Sequence, residues 1–267
     1  MKNLHIIMPM AGEGSRFKEA GYIVPKPLIK VDDKELYRRA LDSIEQYIDW
    51  GVTIKHTFIV RREFIQNYNI DIKIRQVYND ANIVIVDKTT RGALETALLA
   101  EQYIDQERDN IMIIDCDIEF YCNQYNAELF NQYCWKEESS EPILLSFYSH
   151  DPRYSYAECK PGGDFWAIRT AEKNPISTHA LTGCYYFGDA DEFVKLGHML
   201  IDDFTNGKVD SKEIYVSLLY NYYFKDGYNI IRLVDFNQHI DKLLSYGTPE
   251  EMEFSLNNKF NNIWDKK

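Results

Sequence analysis

Nothing in this chain has the C-x-x-C spacing of a redox or zinc site. Its five cysteines, Cys116, Cys122, Cys134, Cys159 and Cys184, are odd in number. With no signal-peptide pattern either, they read as reduced thiols in a reducing compartment and not as a disulfide scaffold. Long apolar runs are missing too: none approaches the roughly 18 residues that a membrane span needs. The first residues carry one early lysine and no apolar stretch followed by a cleavage site. The expected location is therefore the cytoplasm. A basic excess is also absent, with 30 Lys and Arg against 42 Asp and Glu and a formal net charge of −12. This argues against binding nucleic acid or an anionic membrane surface. Phosphates can then be held only by a local cluster of cations. Linker-like, repeated and low-complexity segments are lacking as well, and K-E-E-S-S-E at 136–141 reads as a solvated loop.

What is present is ordinary globular material: 267 residues, 45% hydrophobic and 27% charged, enough for a large buried core. The first half alternates strands and helices. Leu4–Met10, Val52–Val60, Ile72–Val77, Asn82–Val86 and Ile111–Ile114 read as strands, and Glu35–Ile48 and Ala93–Ile104 as helices. Repeated strand–helix–strand units imply a mainly parallel sheet covered on both faces. The second half is different. Pro142–Ser149, Tyr154–Lys160, Asp164–Ala171 and Thr182–Gly188 are closely spaced strands, with K-P-G-G at 160–163 as a hairpin turn. Helices are expected at Asp191–Phe204 and Lys212–Lys225, a strand at Asn229–Val234, and a helix start at Thr248-Pro249. There threonine caps, proline opens and acids fill the first turn. The expectation is one α/β domain over 1–267, with a nucleotide-binding half (1–135) and an acceptor-binding half (136–267) carrying a smaller antiparallel sheet.

The first strand runs into M-P-M-A-G-E-G-S-R-F, Met8 to Phe17. A dinucleotide fingerprint needs a third glycine where Phe17 stands, and a Walker A loop needs a terminal G-K-[S/T]. Neither is here. What remains is the glycine-exposed backbone of Ala11, Gly12 and Gly14 beside Ser15 and Arg16. Concave amides and a delocalised guanidinium suit triphosphate oxygens. Beyond it comes P-K-P-L, Pro25 to Leu28. Two prolines restrict the backbone around Lys26, a second cation for the same site.

A-G-E-G-S-R-F followed by P-K-P-L resembles the G-x-G-x-R…P-K-P signature of the sugar-phosphate nucleotidyltransferases. The opening P-M-A-G, in place of the usual L-A-A-G, resembles a branch linked to capsule and surface polysaccharide. The resemblance covers nearly the whole chain and implies a Rossmann-like fold. It also implies transfer of a nucleoside monophosphate from a triphosphate to a sugar-1-phosphate or similar monoester, with release of pyrophosphate. By the same resemblance Arg16 and Lys26 are catalytic cations. Gly92 and Ala93, in T-T-R-G-A-L-E-T, border the nucleobase. In I-I-D-C-D, Asp117 holds Mg²⁺ and Asp115 supports the metal or contacts the ribose. P-R-Y-S-Y at 152–156, A-E-K-N-P at 171–175, T-G-C-Y-Y-F at 182–187 and E-I-Y-V-S at 213–217 resemble the acceptor half. Glu172 then serves the acceptor hydroxyls, Lys173 its phosphate, and Gly183 allows close approach, whereas the neighbouring tyrosines are read as core.

One departure stands out. Many relatives carry a second metal-binding aspartate just before a C-terminal G-T, and here Ser245 precedes Y-G-T at that place. Asp241 and Asp235 are near in sequence but do not match the motif. Two rival readings follow. D-C-D at 115–117 is also the D-x-D of metal-dependent glycosyltransferases of the same general fold, and a chain lacking the second aspartate could be a non-catalytic nucleotide sensor. Arg16 and the P-K-P segment weigh against the first, because a preformed nucleotide-sugar donor needs no arginine for leaving pyrophosphate. Arg16, Lys26, Asp117 and Lys173 together weigh against the second. The nucleobase leans to a pyrimidine, so CTP or UTP, on resemblance only. The acceptor and the oligomeric state stay open.

Overall fold

In the computed structural model, residues 3–48, 51–121, 128, 131–132, 134, 141–225, 231–235 and 242–259 are described. Cys122, Asp241 and the loop residues 136–140 lie outside them. A nine-stranded mixed sheet forms the centre. Strand β1 (Asn3–Met10) runs parallel to β4 (Ile54–Arg61) on one side and to β6 (Asp109–Ile114) on the other. Beyond β4 lies β5 (Asn82–Val86), also parallel. Beyond β6 the sheet changes direction with β11 (His179–Phe187), then continues through β8 (Ile143–Tyr148), β12 (Ile231–Asp235), β10 (Gly163–Glu172) and β9 (Ser155–Lys160). The antiparallel part expected on the acceptor side continues this same sheet, with β9 also pairing back to β11.

Strand alternation explains why both faces are covered. In β1, Leu4, Ile6, Met8 and Met10 belong to one buried cluster, while Ile7 and the following Ala11 belong to another. In β6, Met112 and Ile114 face the first cluster and Ile111 and Ile113 the second. Strands buried on both faces read as continuous apolar runs, as I-M-I-I does here. Each fully buried side chain of this size contributes about 1.5–3 kcal/mol.

The segment I-D-I-K-I-R-Q-V corrects the sequence reading. Isoleucines at 70, 72 and 74 alternate as in a strand, and Ile72–Val77 reads as one, yet the segment forms helix α4 (Ile70–Val77). Ile70 and Ile74, four apart on one helical face, are fully buried, while Ile72 is 53% exposed. A helix buries one stripe, and here that stripe is only two residues wide. A second correction falls at Lys212–Lys225. Residues 212–215 run irregularly past the site, a 3₁₀ turn covers Val216–Leu219, and the α-helix is limited to Tyr220–Lys225. The predicted helix Ala93–Ile104 is helix α5 (Ala93–Leu98) followed by a separate 3₁₀ turn.

A third cluster, Phe17, Ile29, Val31, Leu36, Leu244, Tyr246 and Met252, ties the glycine loop to the C-terminal elements. Those elements are strand β13 (Lys242–Ser245), paired with β7 (Ile118–Tyr121), and the helix Pro249–Lys259. Thr248 caps that helix, its hydroxyl accepting from the Glu251 amide at 3.1 Å. A buried Arg39 donates twice to Glu119, at 2.7 and 2.8 Å, and Tyr246 donates to the same carboxylate at 2.6 Å. This pins the C-terminal turn against helix α2 (Leu36–Glu45).

Candidate active site

The carboxyl ends of β1 and β6 open into one cavity of ≈ 650 Å³. Strand ends at a change of sheet direction are where open α/β sheets place ligands. After β1 the chain turns at Gly14, whose φ of 62° is left-handed, a conformation glycine adopts without a Cβ penalty. The short helix α1 (Ser15–Glu19) then buries Phe17 in the third cluster and leaves Arg16 exposed at the cavity. At Pro25 the backbone is extended, with φ −63° and ψ 148°, and a 3₁₀ turn, Lys26–Leu28, aims Lys26 inward.

Lys26 donates to the Asp117 carboxylate, lies 3.5 Å from the Gly247 carbonyl oxygen and 5.9 Å from the Phe17 ring centroid. Burial works to lower the pKa of the ammonium, but the Asp117 carboxylate, by its charge and its hydrogen bond, outweighs it, so the pKa is raised. Asp115 and Asp117 follow directly on β6. Burial, and then repulsion from Asp117, push Asp115 up to about 8 against the pull of Lys26. Burial likewise pushes the Cys116 thiol up to about 12, leaving it a protonated wall residue.

Across the cavity, β11 slips register between Leu181 and Tyr185, and Gly183 sits in the slip with φ 85°. A Cβ at Gly183 would lie 2.8 Å from Asp115 Oδ2, so this glycine makes room for the aspartate. Glu172 ends β10 and accepts from the Ser217 hydroxyl at 2.7 Å. Burial raises its pKa, partly offset by Ser217 and Lys173. Lys173 has φ 52°, a left-handed backbone for a side chain that rarely takes it. Such outliers concentrate at functional sites.

Of the residues singled out from sequence, Gly12, Gly14, Arg16, Lys26, Ala93, Asp115, Asp117, Glu172, Lys173 and Gly183 line this cavity. Three do not. Ala11 is buried in the core under the loop, and Ser15 is an exposed first residue of α1. At Gly92 a Cβ would lie 2.4 Å from the backbone nitrogen of Ile214. The missing side chain there is used to pack two backbone segments together. The tyrosines divide: Tyr186, Tyr220 and Tyr223 are buried core, but Tyr185 and Tyr215 line the cavity. Sequence reasoning also missed Arg153 and Glu251, which line the cavity and pair at 3.0 Å. The only signal for Arg153 was its place in P-R-Y-S-Y.

Ser245 also lines the cavity, its hydroxyl 3.4 Å from the Gly247 amide. Among the described residues, the acid that folds over this turn is Glu251, whose Oε2 would lie 2.4 Å from a Cβ at Gly247. No group of three or more His, Cys, Asp or Glu side chains converges as a closed metal site among the described residues. The donor set, carboxylate oxygens of Asp117 and Asp115 with the Ser245 hydroxyl nearby, is hard and oxygen-only. It fits a magnesium ion that completes its shell with water and phosphate oxygens. Among the described residues no helix is long and apolar enough to cross a membrane.

No protein-family model matches the sequence, and no curated protein matches it. Solved structures do. A nucleoside-diphosphate-sugar pyrophosphorylase from Vibrio cholerae RC9 is 25% identical over 94% of this chain and 99% of its own, with a TM-score of 0.73. The inositol-1-phosphate CTP transferase from T. maritima is 14% identical over 97% of this chain and 98% of its own, at 0.68. A UDP-glucose pyrophosphorylase complexed with UDP-glucose is 17% identical over 98% and 99%, at 0.69. The chain therefore has the Rossmann-like α/β fold of the nucleotide-sugar pyrophosphorylases and nucleotidyltransferases to which it is similar.

Proposed function

We propose that this protein transfers a nucleoside monophosphate from a triphosphate to a sugar-1-phosphate or related small phosphate monoester and releases pyrophosphate. The observation that carries the reading is the gathering of Arg16, Lys26 and Lys173 with Asp117 around one cavity at the strand ends. An acceptor phosphate oxygen attacks the α-phosphorus in line. The bond from that phosphorus to the bridging oxygen breaks, and pyrophosphate leaves with the electron pair. No general base is needed, because a phosphate monoester is already ionised at neutral pH. The protein's task is alignment and charge neutralisation.

Arg16 holds the β- and γ-phosphates, Lys26 bridges the α-phosphate and the acceptor, and Lys173 holds the acceptor phosphate. Asp117, supported by Asp115, would hold Mg²⁺, which supplies charge neutralisation on the phosphate oxygens. Lys26 already sits on Asp117, so its ammonium stands beside the carboxylate that would hold the metal. Glu172 serves acceptor hydroxyls. The P-M-A-G opening supports a role in capsule or surface-polysaccharide precursors in a bacterial cytoplasm, and the family resemblance leans the donor to CTP or UTP.

The experiment is a panel of four nucleoside triphosphates against sugar-1-phosphates, polyol phosphates and amino-alcohol phosphates, read as pyrophosphate release with Mg²⁺. Acceptor-dependent release with at least one pair is expected. Its absence across the panel, with intact nucleotide binding, would overturn the reading in favour of a sensor. Hydrolysis or transfer from a nucleotide sugar instead would favour a glycosyltransferase.

A further inference from the structure

The acceptor-side lysine is already held. Lys173 Nζ donates to the Tyr215 phenol oxygen at 2.6 Å and lies 4.5 Å from the ring centroid. Its backbone is held as well: the Lys173 amide donates to the Tyr154 carbonyl at 3.1 Å, at a left-handed φ of 52°. Among the described residues Lys173 forms no ion pair, although Glu172 is its chain neighbour and Glu213 also lines the cavity. Tyr215 in turn belongs to a segment with little freedom. The Ile214 amide donates to the Arg91 carbonyl at 2.9 Å, and the Leu94 amide donates to the Ile214 carbonyl at 3.0 Å. These two bonds close around Gly92, where no Cβ fits.

We propose that Tyr215 is the positioning residue for Lys173, and that residues 213–215 tie the acceptor-side cation to the 91–94 loop of the nucleotide half. The proposal rests on the nucleotidyl-transfer reading above for its consequence, but not for the contact itself. A lysine in an open cavity samples many rotamers, and fixing it in advance removes an ordering cost from acceptor binding. A phenol suits this better than a carboxylate would. It orients the ammonium without neutralising it, and it takes one of the ammonium's three donors, leaving the others for a phosphate. The path Gly92, Ile214, Tyr215, Lys173 also runs from the loop assigned to the nucleobase to the residue assigned to the acceptor phosphate.

The test uses the full chain with Tyr215→Phe, which keeps the ring and removes only the hydroxyl. Competitive amine labelling followed by mass spectrometry compares Lys173 with the exposed Lys88 in the wild type and the variant. Labelling of Lys173 relative to Lys88 is expected to rise severalfold in Tyr215→Phe. Unchanged labelling would overturn the proposal whatever the reaction is. With the most active triphosphate and acceptor pair, the acceptor KM is expected to rise roughly tenfold while the triphosphate KM holds, the loss of one charge-assisted hydrogen bond. An unchanged acceptor KM would also overturn it. Adding Tyr215→Phe to Lys173→Met should change nothing further, since Tyr215 acts through the lysine; additive losses would overturn the positioning role. Changed labelling with no pyrophosphate release from any pair would sustain the anchor and sink the transfer reading alone.

Discussion

The ammonium of Lys26 donates to the carboxylate of Asp117, joining the loop after β1 to the end of β6 across 91 residues of sequence. Lys26 pulls against the Asp117 charge that pushes Asp115 up, so removing it leaves two neighbouring carboxylates facing each other. Lys26→Met is expected to lower turnover by about a thousandfold. It should also lower unfolding free energy by about 2 kcal/mol, as a partly buried pair loses one member. Urea denaturation and pyrophosphate release measure the two separately. A fully active variant would remove Lys26 from the transfer step.

Arg16 should behave differently, because it is exposed and stands on a five-residue helix anchored by Phe17. Arg16→Ala is expected to stay within about 0.5 kcal/mol of the wild type in stability. Turnover should nonetheless fall by about a hundredfold or more as the leaving pyrophosphate loses a charged donor. Equal losses in both measurements would show that Arg16 is structural.

Gly92→Ala tests the junction between the 91–94 loop and the segment before the last helices. The added Cβ would meet backbone atoms of Ile214 at 2.4 to 2.7 Å, and backbone cannot rotate away as a side-chain end can. The expected destabilisation is about 2–4 kcal/mol by denaturant titration. A cost below about 0.5 kcal/mol, the size of a neutral surface change, would mean that the two segments separate freely.

A stability prediction away from the cavity concerns Asp109 at the opposite end of β6. It is fully buried, 3.2 Å from His5 Nδ1 and 2.6 Å from Lys55 Nζ, and it accepts from Asn3 at 3.1 Å and from the Asp105 amide at 2.9 Å. Burial works to raise its pKa, but the bonds from His5, Lys55, Asp105 and Asn3 outweigh it and hold the carboxyl well below its usual range. A carboxyl depressed on folding adds stability that is fully present above its unfolded pKa, ordinarily 3.8, and is lost as pH falls below that value. Asp109→Asn is therefore expected to cost about 3 kcal/mol at pH 7. The gap to the wild type should narrow below about pH 4. Turnover at pH 7 should change little under conditions where both proteins stay folded. A gap independent of pH would show that the charge contributes nothing.

Legibility in sequence followed the reach of the interactions involved. The β1 loop was readable because its glycines, its arginine and the P-K-P segment act within a few residues of one another. The pair Asp115 and Asp117 was readable because an apolar strand that ends abruptly in acids is a local signal. Ile72 and Val77 misled for a related reason. The alternation of Ile70, Ile72 and Ile74 around them fits a strand, and only packing against the first core cluster selects the helical face with Ile70 and Ile74. Tyr215 reads as core and Glu251 as a first-turn helix acid, since each reaches the cavity through distant partners: Ile214 against the 91–94 loop in one case, Arg153 in the other.

By itself the sequence determined the alternation of strands and helices, the phosphate-suited loop and the carboxylates after β6, because periodicity, proline restriction and glycine freedom are properties of short segments. The tertiary structure alone decided which distant groups meet. It set Lys26 on Asp117, and it fitted Asp115 beneath the missing side chain of Gly183. It seated Lys173 on Tyr215, and it brought Glu251 over the turn that follows Ser245. The first three of these meetings join residues 42 to 91 apart along the chain through sheet order and packing between elements, and no local pattern encodes such distances.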